Sequence, residues 1–173
     1  YDAASVSEIA RVAGVSKPTI YNYFPGKAEL FSACLLTRID AYASRILALE
    51  LSGPPSDVLS ALGHAVLELT LSPGATDVYR WMVPESERFP DLATSFYERG
   101  PGKGAAKLCA YLTRAQEQGT LDLGETPSLD AARMFIDLFR GEVMLRNLFG
   151  MEPLPDSDAL VAHAVDLFLR AYG

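Results

Sequence analysis

The polar side chains with the most informative spacing lie near the start of the chain. Ser16 and Lys17 directly precede Pro18, so a hydroxyl, a cation and free backbone amides are expected together at the start of a helix. Such a group of donors binds phosphate oxygens. Asn22, further along the same predicted helix, has an amide that can both donate and accept at the edge of a base. The stretch therefore has the chemistry of a surface that reads DNA.

The residues around these side chains have the spacing of a helix-turn-helix. Ala10 is small enough for a second helix to cross it closely, and Gly14 can take the positive φ of a tight turn without a steric penalty. Ile9, Val15 and Ile20 are expected to form the apolar wedge that fixes the angle between the two helices. In such a unit the second helix enters the major groove of DNA.

Capping and helix-breaking residues place the helices of this unit. The run Ser5-Val6-Ser7-Glu8 has the form of a capping box, in which the serine hydroxyl and the glutamate carboxylate satisfy backbone amides, and its helix is expected to end near Ala13. Ser16 is expected to cap a second helix that ends near Phe24-Pro25-Gly26. From Lys27 to about residue 51 the apolar residues recur at helical spacing, which predicts one long amphipathic connector helix.

The rest of the chain also has helical periodicity without the alternation typical of strands, so the predicted fold class is all-α. We expect a helix-turn-helix unit, residues 1–31, joined by the long helix to an antiparallel helical bundle, residues 32–173. The glycine-rich run from Gly100 to Gly104 lacks the Lys-Ser/Thr pair of a phosphate-binding loop, and we interpret it as a helix break. Further helices are expected at about 56–72, 75–86, 91–118, 128–149 and 156–172.

The charge of the chain limits where DNA can bind. The net charge is −7, but residues 1–31 carry three basic and three acidic side chains, so the whole excess lies beyond Phe31 and only the first segment is expected to bind DNA. Two cysteines and two histidines, all widely separated, give no metal signature or catalytic pair, so no cofactor, metal or enzymatic activity is expected. Without a long apolar run or a signal peptide, we expect a cytoplasmic protein that does not enter a membrane.

The stretch from Ser5 to Phe31 resembles the DNA-binding region of the TetR family of repressors, above all in its ending Tyr-Asn-Tyr-Phe-Pro-Gly-Lys-Ala-Glu-Leu-Phe. The resemblance implies that Lys27 approaches a phosphate, and that Ser5 and Ser16 contact phosphates as well as cap helices. It also implies a surface that faces the operator. The alternative for one of the two tyrosines, Tyr21 or Tyr23, is that it packs against the connector helix. That surface comprises Lys17, Pro18, Thr19, Tyr21, Asn22 and Tyr23.

The resemblance has one departure and one extension. Members of the family carry a further helix before this unit, and the chain begins at Tyr1, where that helix would end. We therefore expect the first helix to be absent from the chain and DNA binding by the chain as given to be weak. Farther along, the residues from Tyr79 to Leu92 and from Phe96 to Pro101 resemble the AefR-like type of C-terminal domain, which implies a regulator without naming its effector.

Apolar side chains in the middle helices predict a cavity for a small apolar or amphipathic effector, although an aromatic stripe at helical spacing is more often plain core. Arg140 and Glu142 are expected either to orient the effector or to pair with each other. The predicted cavity residues are Trp81, Met82, Phe89, Phe96, Tyr111, Met134, Phe135 and Phe139.

The last two predicted helices have broad apolar faces, and the resemblance implies that they pack against a symmetry mate as a four-helix bundle. The expected homodimer holds two reading helices about 34 Å apart, which suits double-stranded operator DNA with an approximately palindromic sequence. The predicted function is a repressor that an effector releases. An activator, a ligand-independent regulator and a pure protein-interaction module are the alternatives. The predicted interface comprises Ala131, Leu138, Leu160, Ala164, Val165 and Phe168.

Overall fold

The structure is a computed structural model that describes residues 4–152 and 156–173. The described residues form helices joined by turns, with no strand among them, which confirms the predicted all-α fold class. The chain divides into a first unit that ends at Arg38 and a second unit from Ile39 to Gly173, whereas the predicted boundary follows residue 31. The long helix α3, Lys27–Leu47, contributes its first part to the first unit and its last part to the second.

The first unit consists of α1 (Val6–Ala13), α2 (Lys17–Tyr23) and the start of α3 around a small apolar core. Gly14 has a φ of 68°, and the N–H of Val15 donates to the carbonyl of Ala10 at 3.0 Å, so backbone bonds close the turn. Val15 is wrongly predicted to join the wedge, because its side chain is 43% exposed. The core comprises buried Val6, Ala10, Ile20 and Leu30, with Ile9 and Phe24 packed against them.

The second unit is a helical bundle whose centre lies between its longer helices. The rings of Phe135 and Phe139 meet edge to face at 5.0 Å, and Phe168 meets Phe135 in the same way at 5.1 Å. A Cβ on Gly63 would lie 2.8 Å from Cζ of Phe139, so only glycine lets this part of the bundle pack so closely. The helices are α4 (Pro55–Leu71), α5 (Pro73–Glu85), α6 (Pro90–Tyr97), α7 (Lys103–Glu117), α8 (Ser128–Leu148) and α9 (Ser157–Tyr172).

The glycine-rich run between α6 and α7 is not a break in the helix. Residues Glu98–Gly102 form a single π-helical turn, so α6 continues into α7 through one wider turn. Pro101 has no N–H to donate, and a wider turn is one way in which a helix accommodates such a residue. A Cβ on Gly102 would lie 3.0 Å from the carbonyl oxygen of Tyr97, so the close path of the turn favours glycine there.

Side chains of α7 hold the end of α3 and the loop after it. The Lys107 ammonium donates to the carbonyl of Leu47 at 2.5 Å, and a cation is favourable at the negative end of a helix. One and two turns further along α7, the Tyr111 hydroxyl donates to the carbonyl of Gly53 at 3.1 Å, and Arg114 donates to a loop carbonyl at 3.3 Å. The connector helix therefore ends at Leu47, about one turn earlier than predicted, and its end is fixed.

Polar side chains also fix the end of α8. Arg80 of α5 donates to the carbonyls of Asn147 and Leu148 at 2.9 and 3.1 Å. The Asn147 amide in turn donates to the carbonyl of Thr70 and the hydroxyl of Thr76, both at 2.7 Å. Because both threonines are buried, these bonds satisfy groups that would be costly to leave unpaired. They hold α4, α5 and α8 together at one place in the second unit.

Candidate DNA-binding surface and ligand cavity

Two serines cap the helices of the first unit. The Ser16 hydroxyl accepts from the backbone N–H of Thr19 at 3.2 Å and lies 2.7 Å from the Thr19 hydroxyl, which fixes it at the start of α2. Ser5 accepts from the N–H of Glu8 at 3.1 Å in the same way at the start of α1. Both serines stay exposed, so each can cap a helix and still meet a phosphate.

The capping box predicted at α1 is only half formed. The Glu8 carboxylate pairs with the Arg11 guanidinium one turn along, with a closest N–O distance of 2.6 Å. This hydrogen bond holds the pKa of Glu8 below its ordinary value. An arginine within reach along the helix competes for the carboxylate, and the positive charge of Arg11 is thereby balanced locally. The predicted surface also contains two lysines, Lys17 and Lys27.

The outer face of α2 carries the predicted operator-facing residues. Both tyrosines are exposed, Tyr21 by 43% and Tyr23 by 78%, so neither is buried against the connector helix, which was the alternative. The Lys17 ammonium lies 5.8 Å from the centre of the Tyr21 ring, on the same face. Lys17, Pro18 and Asn22 are exposed, whereas Thr19 and Lys27, the first residue of α3, are half-buried.

The capping serine at α2 leads to a prediction. Ser16→Asp should keep the helix cap, because aspartate is as good a cap as serine, but its negative charge should lower operator affinity about tenfold or more by repelling a phosphate. Ser16→Ala should lower the free energy of unfolding by about 1 kcal/mol, because it removes the cap. Denaturant unfolding and fluorescence anisotropy on DNA measure the two effects separately.

Ser56→Asp is the matched control, since Ser56 is an exposed residue in the first turn of α4 in the other unit. It adds the same charge and should leave operator affinity unchanged. A Ser16→Asp variant that binds its operator as well as the wild type would contradict a phosphate contact at this position.

The second unit contains a cavity between helices. Its walls come from the last part of α3, from α4, α5, α6 and α8, from the π-helical turn and from the start of α7. The space between these side chains, including the part open to solvent, is about 730 Å³. The lining is mostly apolar. The lining residues are Ile39, Tyr42, Ala43, Ile46, Val66, Leu69, Thr70, Ala75, Val78, Tyr79, Phe96, Gly100, Pro101, Gly104, Ile136, Arg140 and Met144.

Of the eight predicted cavity residues, only Phe96 lines this space. Trp81 and Met134 are exposed, by 42% and 49%, while Met82 is buried and Phe89 is half-buried elsewhere. Tyr111, Phe135 and Phe139 belong to the main core. Helical spacing identifies large apolar residues, but it does not show which gap between helices they leave open.

Small residues from the run that the sequence predicts to be a helix break form part of the cavity wall. Gly100, Pro101 and Gly104 line the space from the π-helical turn and the start of α7. Built Cβ atoms on Gly100 and Gly104 would lie 3.4 and 3.8 Å from side-chain atoms of Ile39 and Ile46 on α3. Both distances are ordinary van der Waals contacts, so neither position requires glycine, and the sequence carries no specific signal for this wall.

Among the residues that the structure describes, the one charged residue in the cavity lining is Arg140 on α8. Its guanidinium donates a hydrogen bond to the Tyr79 hydroxyl, and the Tyr79 ring meets Phe96 edge to face at 5.0 Å. The predicted alternative in which Arg140 pairs with Glu142 is wrong, because Glu142 pairs with Arg146 at 3.1 Å. Burial raises the pKa of the Tyr79 phenol, against the effect of the Arg140 charge, and nearby Asp137 adds to the rise.

The predicted dimer residues fall into two groups. Ala131, Ala164, Val165 and Phe168 are buried in the core of the protomer, so another copy cannot reach them. Leu160 is half-buried and Leu138 is 40% exposed. The apolar periodicity of the last two helices therefore identified helix faces that pack in the core of the same chain. An exposed apolar stripe lies on the other side of α8, at Met134, Leu138 and Leu145, with Gly141 between them.

Within residues 4–152 and 156–173, no group of three or more histidine, cysteine, aspartate or glutamate side chains is placed to hold a metal ion. In the same part of the chain, none of the helices has the length and apolar character needed to span a membrane.

Two family sequence profiles match the chain. Residues 57–173 match the AefR-like transcriptional repressor C-terminal domain, and residues 1–34 match the tetR family of bacterial regulatory proteins. The first match covers more than half of the chain. The chain therefore belongs to the TetR family of bacterial transcriptional regulators, with a DNA-binding helix-turn-helix and an AefR-like C-terminal domain.

Individual relatives agree with this assignment. The flavonoid-responsive regulator FrrA is 30% identical, with a TM-score of 0.85 over 99% of this chain and 88% of its own. A TetR-family regulator from Mesorhizobium loti, 24% identical, has a TM-score of 0.84 over 100% of this chain and 88% of its own, which shows the shared fold. The transcriptional activator FasR from Mycolicibacterium smegmatis is 46% identical over 46 residues, 27% of this chain and only about a fifth, 21%, of the activator.

Proposed function

We propose that the protein is a repressor that binds a palindromic operator as a homodimer and leaves it when a small apolar or amphipathic molecule enters the cavity. One observation carries this proposal. The helix α3 begins with Lys27 beside the predicted DNA-binding residues and, at its other end, supplies Ile39 and Ile46 to the cavity wall. One continuous helix thus contributes residues to both candidate sites. On this proposal the protein acts in the cytoplasm, where its DNA lies.

The exposed stripe on α8 supports a homodimer. Met134, Leu138 and Leu145 are spaced so that they share one face of the helix with Gly141. A Cβ on Gly141 would meet nothing within 4 Å, so the protomer itself gives no reason for a glycine that weakens a helix interior by about 1 kcal/mol relative to alanine. Close approach of a symmetry-related α8 would supply that reason. We propose this face as the dimer interface, in place of the buried residues named from the sequence.

The symmetry of such a dimer determines the operator. Two copies of α2 would meet successive major grooves about 34 Å apart, so the operator has two half-sites in inverted orientation. The proposed contacts are Asn22 to a base edge, Lys17 and Lys27 to phosphates, and the capping serines to phosphates as well.

The operator is released if ligand binding favours an arrangement of the dimer that does not fit the operator. A ligand in the cavity touches the last two turns of α3, whose end is fixed by Lys107 at Leu47. It can shift the protein only through a difference in affinity between the form that fits the operator and the form that does not. That difference is a coupling free energy, typically about 1–3 kcal/mol, and it is reciprocal, so operator DNA must weaken ligand binding by the same factor.

A second candidate is an activator with the same DNA-binding and cavity chemistry. The likeness of 46 residues to an activator supports it. Transcript levels distinguish the two candidates, because loss of the gene raises transcription from the operator if the protein represses and lowers it if the protein activates.

The test of the proposed function is selection of bound duplexes from a random DNA library with the full-length protein, followed by binding assays on the enriched sequence. We expect an inverted repeat bound by two protomers. Absence of any enriched sequence would leave only the alternative of a protein-interaction module. An enriched site without an inverted repeat would contradict the symmetric dimer.

A further inference from the structure

Among the described residues, the cavity lining combines mostly apolar side chains with one charged side chain, that of Arg140. Arg140 is half-buried, and the described residues place no carboxylate within ion-pair distance of its guanidinium. The one side-chain group that accepts from it is the Tyr79 hydroxyl. A cation in apolar surroundings is stabilised by an anion, and a neutral phenol satisfies only part of that need.

The Tyr79 hydroxyl has a donor to offer next to Arg140. It accepts a hydrogen bond from Arg140, which leaves its own proton for another partner. A phenol is protonated at neutral pH at its ordinary pKa, and burial raises the pKa of Tyr79 further, with Asp137 adding to the rise and the Arg140 charge opposing it. Asp137 itself is exposed, one turn before Arg140 on α8, so solvent screens its charge. The guanidinium and the phenol can therefore donate together to one group in the cavity.

Apart from Tyr79 and Arg140, the polar side chains that the described residues place in the lining are those of Tyr42 and Thr70, and neither carries a positive charge for an acid. The Thr70 hydroxyl donates to the carbonyl of Val66 at 2.8 Å within its own helix. Val66, Val78 and Ile136 are among the apolar side chains that surround the rest of the space. A ligand that fits this wall has an apolar body with one acidic end.

We propose that the effector is an amphipathic acid, with its carboxylate, or another acidic oxygen group, bound by Arg140 and Tyr79 and its apolar body against α3, α4 and α5. This inference rests on the proposed function, in that the cavity is taken to be the effector site. It goes further by naming the chemical class of effector and the two residues that select it.

The test is calorimetric binding of matched acid and alcohol probes to the full-length protein without DNA. The pairs are decanoate with 1-decanol and 2-naphthoate with 2-naphthalenemethanol. The wild type should bind the acid of at least one pair about tenfold more tightly than its alcohol, as expected for a charge-assisted hydrogen bond. Arg140→Met should weaken acid binding about tenfold and so remove this preference, and Tyr79→Phe should weaken acid binding about fivefold.

Arg133→Met is the matched control, because Arg133 is an exposed arginine on the same helix that pairs with Asp130 outside the cavity. It should keep the full preference for acids. Arg140→Lys should keep part of it, which separates the charge from the packing of the side chain.

The outcomes distinguish this inference from the proposed function. Equal affinity for acid and alcohol in the wild type, or an acid preference that survives Arg140→Met, overturns the inference and leaves the regulator with a cavity for neutral ligands. Failure of all four probes to bind overturns both the inference and the role of the cavity as effector site.

Discussion

Replacement of two leucines on α8 by arginine, Leu138→Arg with Leu145→Arg, should convert the protein to a monomer and reduce its operator affinity at least about 100-fold. Both side chains are exposed in the protomer, by 40% and 54%, so the protomer should still fold. In the proposed dimer they face their symmetry mates, where four buried and unpaired charges would be strongly unfavourable. Each lone protomer would then bind a half-site without the gain from linkage, which is typically about 10²–10⁴. Sedimentation and DNA titration measure the two effects.

The matched control for this pair is Val83→Arg on α5. Val83 is 66% exposed and lies on a helix outside the proposed interface, so the change has the same character but should leave the protein dimeric. Gly141→Leu gives a second, uncharged test, because the added side chain meets nothing in the protomer but would obstruct a close crossing of two α8 helices. A double arginine variant that remains dimeric would refute the interface proposed on α8.

This interface shows what the sequence pattern can and cannot predict. Periodicity correctly indicated that α8 and α9 carry broad apolar faces, because period 3.6 is a local property of each helix. It did not predict that residues such as Ala131 and Phe168 would be covered by the protomer itself, since that depends on which helices pack together. The residues that remain exposed, Met134 and Leu145, are a minor part of the pattern and are recognised only after the core is built.

The two candidate sites were predictable to different extents for the same reason. The DNA-binding surface depends on short-range features, the Ser16 cap and the turn at Gly14, and the structure places these as the sequence indicated. The cavity depends on long-range packing of several helices. The sequence indicated Phe96 but not the wall formed by Gly100 and Gly104, because a glycine cluster has the same local signature in a helix break as in a close contact.

The cavity gives the second large effect. Ala43→Phe should abolish ligand release while leaving operator binding intact, which produces a permanent repressor. Ala43 lies on α3 and is almost fully buried. Because it lines the cavity, a phenyl ring at this position would enter open space rather than packed atoms. Filling a cavity commonly stabilises a protein by about 0.5–2 kcal/mol, whereas overpacking a solid core costs about 1–3 kcal/mol. Unchanged or higher resistance to denaturant would therefore show that the space is open.

The measurement compares release of the operator by the acid that acts most strongly on the wild type. Ala43→Phe should bind that acid at least about 100-fold more weakly, because the ring occupies the volume of the ligand and a displaced ligand loses most of its contacts. Ala75→Phe enters the same space from α5 and should give the same result if the first variant folds poorly. Ala110→Phe, at an exposed position of α7, should respond as the wild type does.

If both cavity variants still release the operator at the wild-type concentration of acid, the effector binds elsewhere and contact with α3 is not the cause of release. If both variants bind no acid and yet dissociate from the operator without it, the phenyl ring has the same effect as the ligand. In that case it is occupation of the cavity, rather than the acidic group, that moves α3. The two results separate the position of the site from the action of its occupant, because reciprocity requires only a difference in affinity between two states and a covalent side chain can supply that difference as well as a ligand can.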